Sequence, residues 1–181
     1  MLSLRSKITQ KLLLYFFINK QEERYVNELA QLLSVDPKNL DKKLKELERE
    51  GLLKSRFMGK QRYYALNPSF PLIREYEQIV KKTIGLEHRL QTLFKTISSI
   101  QEAYIFGSYA KNRMDASSDI DLLVVGGHKA LDVQKAILPL QRELGREINV
   151  VDLTPQEFET RQKNKDPFLQ KLFSVPMIKI V

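Results

Sequence analysis

Two aspartates, Asp119 and Asp121, stand one residue apart at the start of an apolar run over residues 122–125. In a β-strand the side chains of residues i and i+2 project from the same face, so the two carboxylates are expected to lie side by side. Adjacent carboxylates repel each other unless a cation lies between them. The pair is therefore a candidate site for a hard divalent cation, Mg²⁺ or Mn²⁺.

A turn of small residues precedes this pair. The strand-like run 103–106 stops at Gly107-Ser108, where uncovered backbone N–H groups can bind phosphate oxygens. Paired carboxylates beside such a turn suit a divalent metal that carries a nucleoside triphosphate. The competing interpretation is a surface loop in which two solvated aspartates end a strand.

The order of these features resembles the signature of the polymerase-β-like nucleotidyltransferases, and among them the minimal form called MNT. The residues that carry the likeness are Gly-Ser-x-Ala at 107–110 and Ser-Asp-Ile-Asp-Leu-Leu-Val at 118–124, each beside a strand-like run. The likeness is close over residues 103–125 and extends in outline over residues 90–153. It implies an NTP as substrate or ligand, and transfer of a nucleoside monophosphate to a hydroxyl with release of pyrophosphate.

The resemblance also implies roles for individual residues. Asp119 and Asp121 correspond to the catalytic, metal-binding aspartates, and Gly107 and Ser108 to the turn that holds the triphosphate. Two nearby cations either offset the phosphate charge as nucleotide-binding residues or are ordinary loop residues: Lys111 and Arg113.

The third carboxylate of the family is absent at the matching position. The family carries it on a later strand after a Gly-Arg-Lys turn, and the corresponding Gly145-Arg146 here places Asn149 at that position. An asparagine can coordinate a metal through its carbonyl oxygen but cannot act as a base. Asp152 lies three residues further on and, by strand alternation, faces the other side unless a bulge re-aims it. Active transfer and nucleotide binding without transfer both stay open.

The elements around the site predict an α+β fold for residues 99–181, the nucleotidyltransferase-like domain. The pattern predicts a strand, the Gly-Ser turn, a second strand, a helix over residues 130–144 and a third strand over residues 147–153, in a mixed sheet with helices on one side. Two more helices are predicted from Thr154-Pro155 and from Pro167, since proline suits the first helical position. Residues 175–181 are a candidate strand at a sheet edge.

Basic charge is concentrated in the first third of the chain. The net charge is +8, and residues 1–70 hold 14 Lys and Arg against 8 Asp and Glu, whereas the remaining residues hold 16 against 14. This asymmetry indicates a separate first domain, residues 1–70, with an anionic partner. Helical patterns over residues 6–19 and from Asp36-Pro37 to Gly51 flank a short segment, 25–33, and two strand-like runs follow at 52–57 and 62–66.

These elements resemble a winged helix-turn-helix of the ArsR/MarR-like class over residues 6–67. The characteristic phrase is a helix that ends in Leu-x-x-x-Gly-Leu-Leu, here residues 47–53, followed by a basic hairpin. Burial of Leu40, Leu44 and Leu47 would leave the opposite face of the helix to meet double-stranded DNA. The implied DNA-binding residues are Lys38, Asn39, Lys42, Lys43, Lys45, Arg56, Lys60 and Arg62. A surface that binds protein is the alternative.

Residues 71–98 form a connecting segment with a heptad stripe that predicts a helix. Three arrangements are open for it. A long helix can pair with a second copy and form a homodimer. Alternatively, the stripe packs on the sheet that follows, or Gly85 divides the segment into two helices. The stripe consists of Leu72, Tyr76, Ile79, Thr83, Leu86, Leu90, Leu93 and Ile97.

Composition narrows the class of protein. The chain has no cysteine, no run of eighteen apolar residues and no arrangement typical of a secretory signal, so a cytoplasmic protein is expected. The first functional hypothesis is a DNA-binding transcriptional regulator whose second domain binds NTP and Mg²⁺. The alternative is an MNT-type antitoxin that adenylylates a HEPN toxin partner, and the third is a scaffold whose domains bind only protein.

Overall fold

The computed structural model describes residues 4–181, which divide into two compact units. The first unit comprises Met1–Leu86 with Arg142–Gly145, and the second comprises Glu87–Gln141 with Arg146–Val181. No helix within residues 4–181 combines the length and the apolar character needed to cross a membrane.

Within residues 4–86, the first unit contains four helices and a three-stranded antiparallel sheet with strand order β1-β3-β2. Its elements in chain order are α1 (Lys7–Ile18), β1 (Arg24–Tyr25), α2 (Val26–Leu33), α3 (Pro37–Arg49), β2 (Leu53–Met58), β3 (Gln61–Leu66) and α4 (Ile73–Thr83).

Helix α3 forms where the residue pattern predicts it. The carboxylate of Asp36 accepts a hydrogen bond of 2.9 Å from the backbone N–H of Asn39, and Pro37 occupies the first turn. One face of the helix lies in a core shared with α1 and α2, so the opposite face points outward. The side chains buried on the inner face are Leu40, Leu44 and Leu47.

A tight hairpin follows α3. Met58 pairs with Gln61, which leaves Gly59-Lys60 as the turn, and Gly59 adopts φ +59°. The sequence predicts these two strands but not β1, whose residues Arg24 and Tyr25 pair with β3. A strand of two residues is too short to show alternation.

The connecting segment, residues 71–98, is not one helix. Helix α4 ends at Thr83, and α5 (Leu86–Phe94) begins after Gly85. At Gly85 a Cβ atom would lie 2.6 Å from the carbonyl oxygen of Lys81, so the backbone is too crowded there for a side chain. The divided arrangement is thus the one that forms.

The second unit contains a four-stranded mixed sheet, as predicted, with order β6-β5-β4-β7. Strands β5 and β6 are parallel, whereas β4 is antiparallel to both β5 and the edge strand β7. Besides α5, its elements are β4 (Ile100–Phe106), α6 (Gly107–Ala110), β5 (Ile120–Gly126), α7 (Ala130–Leu144), β6 (Ile148–Leu153), α8 (Pro155–Lys163), α9 (Pro167–Phe173) and β7 (Ile178–Lys179).

Helices cover both faces of this sheet, which corrects the prediction of one covered face. Leu123 and Val125 of β5 pack in a cluster with apolar residues of α8 and α9. Leu122 and Val124 alternate to the other face and are also fully buried. The reason is that β5 and β6 are parallel, so the helix that joins them, α7, crosses over the sheet.

Candidate functional site

The turn after strand β4 lies directly against Asp121. Gly107 adopts φ +72°, a conformation that favours glycine, and a Cβ atom built on it would lie 2.1 Å from Oδ2 of Asp121. Only glycine fits both the backbone conformation and this close approach. Ser108 follows, with its hydroxyl 3.5 Å from the carbonyl oxygen of Asp119.

Strand pairing brings Asn149 to the two aspartates. Asp121 of β5 is the register partner of Asn149 on β6 and of Phe106 on β4. The side-chain nitrogen Nδ2 of Asn149 donates a hydrogen bond of 3.3 Å to Oδ2 of Asp119. The three polar side chains therefore meet at the start of β5, beside Gly107.

The electrostatics of this cluster favour a cation. Partial burial raises the pKa of the Asp121 carboxyl above its ordinary value, the charge of Asp119 raises it further, and the neighbouring amide group of Asn149 lowers it. A divalent cation between the carboxylates would remove their repulsion. Two carboxylates and an amide oxygen are a donor set that fits Mg²⁺ or Mn²⁺, provided that the amide of Asn149 turns its oxygen inward.

The donor set contains only two carboxylates. Within residues 4–181, no three His, Cys, Asp or Glu side chains cluster as a metal site. Asp152 lies elsewhere, because it pairs in register with Val124 and its Oδ1 atom is 2.8 Å from Nε2 of His128. The pairing of β5 with β6 has no bulge that would turn Asp152 to the face of the sheet that carries Asn149. The two side chains therefore project from opposite faces, as strand alternation predicts.

Lys111 and Arg113 lie in the loop after α6 with exposed side chains. Their backbone N–H groups close the turn, because they donate to the carbonyl oxygens of Gly107 and Ser108 at 3.3 Å and 2.9 Å. The structure therefore places both cations beside the Gly-Ser turn.

Two further residues shape this loop, and the sequence suggested no role for either. The carboxylate of Asp115 accepts hydrogen bonds from the hydroxyls of Ser118 and Ser117 and from the backbone N–H of Ser117, which together lower its pKa. The serines that follow Asp115 are a signal that can identify such a turn. Arg146 is only 8% exposed and contacts the same loop, and its burial left no signal in the sequence.

The eight candidate DNA-binding residues fall into two groups. Lys38, Asn39, Lys42 and Lys60 are exposed. The other four bind carboxylates of the first unit, in the pairs Lys43–Glu46 (2.6 Å), Lys45–Asp41 (2.7 Å), Arg56–Glu23 (2.7 Å) and Arg62–Glu48. Such pairing reduces the positive charge that these four present to a partner.

Comparison with known families identifies the segment that carries the aspartates. Residues 88–165 match the family model described as polymerase beta, nucleotidyltransferase. This range contains strands β4, β5 and β6 with Asp119, Asp121 and Asn149. This part of the chain is therefore similar to the polymerase-β-like nucleotidyltransferase domains.

Proteins that are similar to the chain include a curated relative and solved toxin–antitoxin structures. A protein of Methanocaldococcus jannaschii named "Putative protein adenylyltransferase MJ0435" is 41% identical over 54 residues, which are 29% of this chain and 58% of that protein. The chain thus spans little more than half of that relative. A toxin–antitoxin crystallised with AMP-PNP is 19% identical at a TM-score of 0.39, and the match covers 53% of this chain and 73% of the chain in that structure. A mutant of the toxin–antitoxin MntA–HpeT is 18% identical at a TM-score of 0.40, and the match covers 52% of this chain and 72% of the chain in that structure.

Proposed function

We propose that the second unit binds a nucleoside triphosphate with Mg²⁺ or Mn²⁺ and transfers the nucleoside monophosphate to a hydroxyl of another molecule. The observation that carries this proposal is the cluster of Asp119, Asp121 and Asn149 beside the Gly107 turn. It lies within the residues that match the nucleotidyltransferase family.

Each part of the cluster has a role in this proposal. Asp119 and Asp121 hold the cation, assisted by the carbonyl oxygen of Asn149, and the cation supplies positive charge to the triphosphate. The backbone N–H groups of the turn at Gly107 and Ser108 bind phosphate oxygens. The exposed side chains of Lys111 and Arg113 offset the remaining charge.

The transfer forms a bond between the acceptor oxygen and the α-phosphorus. The bond from that phosphorus to the pyrophosphate oxygen breaks, and pyrophosphate leaves with the electron pair. Asn149 cannot take up the proton of the acceptor hydroxyl, so the proton passes to solvent or to a group on the acceptor. This arrangement therefore predicts one of two things. Either the hydroxyl of the acceptor is already acidic, or the transfer is slow.

We propose a protein as the acceptor and ATP as the donor. The similar protein of Methanocaldococcus jannaschii is named as a protein adenylyltransferase, which supports this choice. A HEPN-type toxin is the partner to test first, because the resemblance to minimal nucleotidyltransferases suggests it. The second candidate function is nucleotide binding without transfer, which the amide at position 149 favours.

Incubation with ATP labelled at the α-phosphate and a HEPN-type protein tests the transfer. Label should appear on the partner with the wild type and with the control Asp132→Asn, a change at an exposed carboxylate of α7, but not with Asp119→Ala/Asp121→Ala. If the wild type binds ATP but labels no protein, while Asn149→Asp gains labelling, the chain is a nucleotide-binding protein whose transfer is limited by position 149.

We also propose that the first unit is a winged helix-turn-helix that binds double-stranded DNA, as expected of a transcriptional regulator. Three observations support this: the order of helices and strands, the outward face of α3, and the exposed hairpin turn at Gly59-Lys60. Lys38, Asn39 and Lys42 on α3 are the residues best placed to meet a groove and its phosphates, because they are exposed.

Charge reversal on α3 tests DNA binding. Lys38→Glu/Lys42→Glu should abolish retention of duplex DNA at low salt, since phosphate contacts dominate such affinity. Lys135→Glu/Lys171→Glu, an equal charge change at exposed positions of α7 and α9, is the control and should leave retention largely intact. Equal binding by the wild type and the α3 variant would refute the role of this helix.

A further inference from the structure

A buried arginine connects strand β6 to the loop that carries the first aspartate. Arg146 lies two residues before β6 and is only 8% exposed. Its Nη1 atom donates hydrogen bonds to the carbonyl oxygens of Ala116 and Ser118, at 2.7 Å and 2.9 Å. A guanidinium is rarely buried unless its donors are satisfied, so these contacts hold the side chain in place.

The acceptor carbonyls are next to the site. The carbonyl of Ser118 belongs to the peptide bond that leads into Asp119, so its orientation fixes the backbone from which that carboxylate projects. Ala116 lies in the exposed part of the same loop. The residue after Arg146 continues the connection, because the carbonyl of Glu147 accepts a hydrogen bond of 3.0 Å from the N–H of Ile120.

The hydrogen bonds of Asp115 in the same loop are different in kind. Asp115 bonds to Ser117 and Ser118 within three residues of itself, in a fully solvated position. Such local turns shape a loop but do not fix it relative to the sheet. The buried guanidinium of Arg146 fixes the loop relative to the sheet. It extends from the start of β6 to the loop that leads into β5, the parallel neighbour of β6.

We propose that Arg146 is a positioning residue, which holds the 116–118 backbone so that the Asp119 carboxylate meets the cation of a bound nucleotide. This inference rests on the proposed nucleotide binding. Arg146 acts through Asp119, because its hydrogen bonds to Ala116 and Ser118 hold the backbone from which that carboxylate projects. Groups that orient metal ligands in this way typically change metal affinity by about 10- to 100-fold when they are removed.

Titration calorimetry with ATP, in the presence of Mg²⁺ and in the presence of EDTA, tests the inference on the full chain. Arg146→Met keeps an apolar stem but removes the donors, and it should lower the Mg²⁺-dependent affinity by about tenfold or more while the affinity in EDTA stays unchanged. Arg146→Lys should recover part of the loss. Arg142→Met, at an exposed arginine four residues earlier, should match the wild type.

A double-mutant comparison separates positioning from general structural damage. If Arg146 acts through Asp119, then Arg146→Met should have no further effect in an Asp119→Asn background. An equal loss in that background, or an equal loss in EDTA, would overturn the inference. If Arg146→Met fails to fold, as judged by circular dichroism, Arg146→Lys takes its place in both comparisons.

The outcome for the wild type distinguishes the two proposals. If the wild type shows no Mg²⁺-dependent ATP binding, the proposed function falls and the role of Arg146 falls with it. If the wild type binds and the Arg146 variants bind equally well, only the role of Arg146 is refuted.

Discussion

At the scale of single residues, Asp121 occupies an unfavourable position in the absence of a cation. Its carboxyl is partly buried and stands beside Asp119, and both effects raise its pKa. The folded state then binds the proton of Asp121 more tightly than the unfolded state does. The stability that this proton contributes is fully present below the pKa that Asp121 has in the unfolded state. This stability is lost as the pH rises through the pKa that Asp121 has in the folded state. At neutral pH the ionised Asp121 therefore destabilises the metal-free protein.

We predict that Asp121→Asn raises the melting temperature of the metal-free protein by a few degrees at pH 7. The gain should shrink as the pH falls towards 4, because the wild-type carboxyl then takes up its proton. Thermal unfolding in EDTA across this pH range measures the effect. A gain that is the same at both ends of the range would show that the carboxylate charge is not its cause.

The sequence predicted much of this cluster. The Asp-x-Asp pairing follows from residue spacing, whereas the alignment of Asn149 with the third position follows from the family resemblance. The structure brings those side chains together. The hydrogen bonds of Arg146 were beyond prediction, because they join residues about thirty positions apart through backbone carbonyls, which every residue possesses.

At the scale of elements, the turn from β4 into α6 brings the backbone of Gly107 against the side chain of Asp121. The sequence identifies the glycine of this turn. It does not predict how closely the turn approaches Asp121, where a Cβ atom on Gly107 would lie 2.1 Å from the carboxylate. The break at Gly85 and the two covered sheet faces were also only partly predictable. They depend on packing between elements, which a periodic pattern along one element does not contain.

Replacement of Gly107 by alanine should destabilise the protein and abolish ATP binding. Gly59→Ala is the matched control, because Gly59 also has a positive φ but has no atom within 4 Å of its added Cβ. Backbone strain alone should cost about 1–2 kcal/mol at either site, and the collision with Asp121 should add about 1–3 kcal/mol at position 107.

Denaturant unfolding of both variants measures this difference. Asp121→Ala removes the colliding oxygen and leaves Cβ at 3.5 Å, so the extra cost of Gly107→Ala should shrink in that background. Equal destabilisation by Gly59→Ala and Gly107→Ala would mean that the turn does not press against the carboxylate.

At the scale of the whole molecule, the chain divides into two compact units, and the basic excess of residues 1–70 lies in the first of them. Helix α4 of the first unit and Leu72, the residue that precedes it, keep part of the heptad stripe at the surface. Leu72 is 50% exposed and Ile79 is 45% exposed, whereas Tyr76 packs against the core. Two such helices can pair through the exposed side chains, and under the proposed DNA binding this pairing would present two first units to two half-sites.

We predict a homodimer that depends on this surface. Sedimentation equilibrium should give twice the mass of the chain for the wild type and the monomer mass for Ile79→Glu, because a buried unpaired carboxylate opposes association. Leu131→Glu, at a 60% exposed position of α7, is the control and should remain dimeric. A monomeric wild type at micromolar concentration would refute the dimer.

The most direct test of the proposed function is the Mg²⁺ dependence of ATP binding, measured by calorimetry on the wild type and on Asp119→Asn/Asp121→Asn. The cluster at the start of β5 predicts that Mg²⁺ strengthens wild-type binding by about tenfold or more and that the double variant loses this gain while keeping its fold. ATP binding that ignores Mg²⁺, or that is unchanged in the double variant, would contradict a metal–nucleotide site at these aspartates.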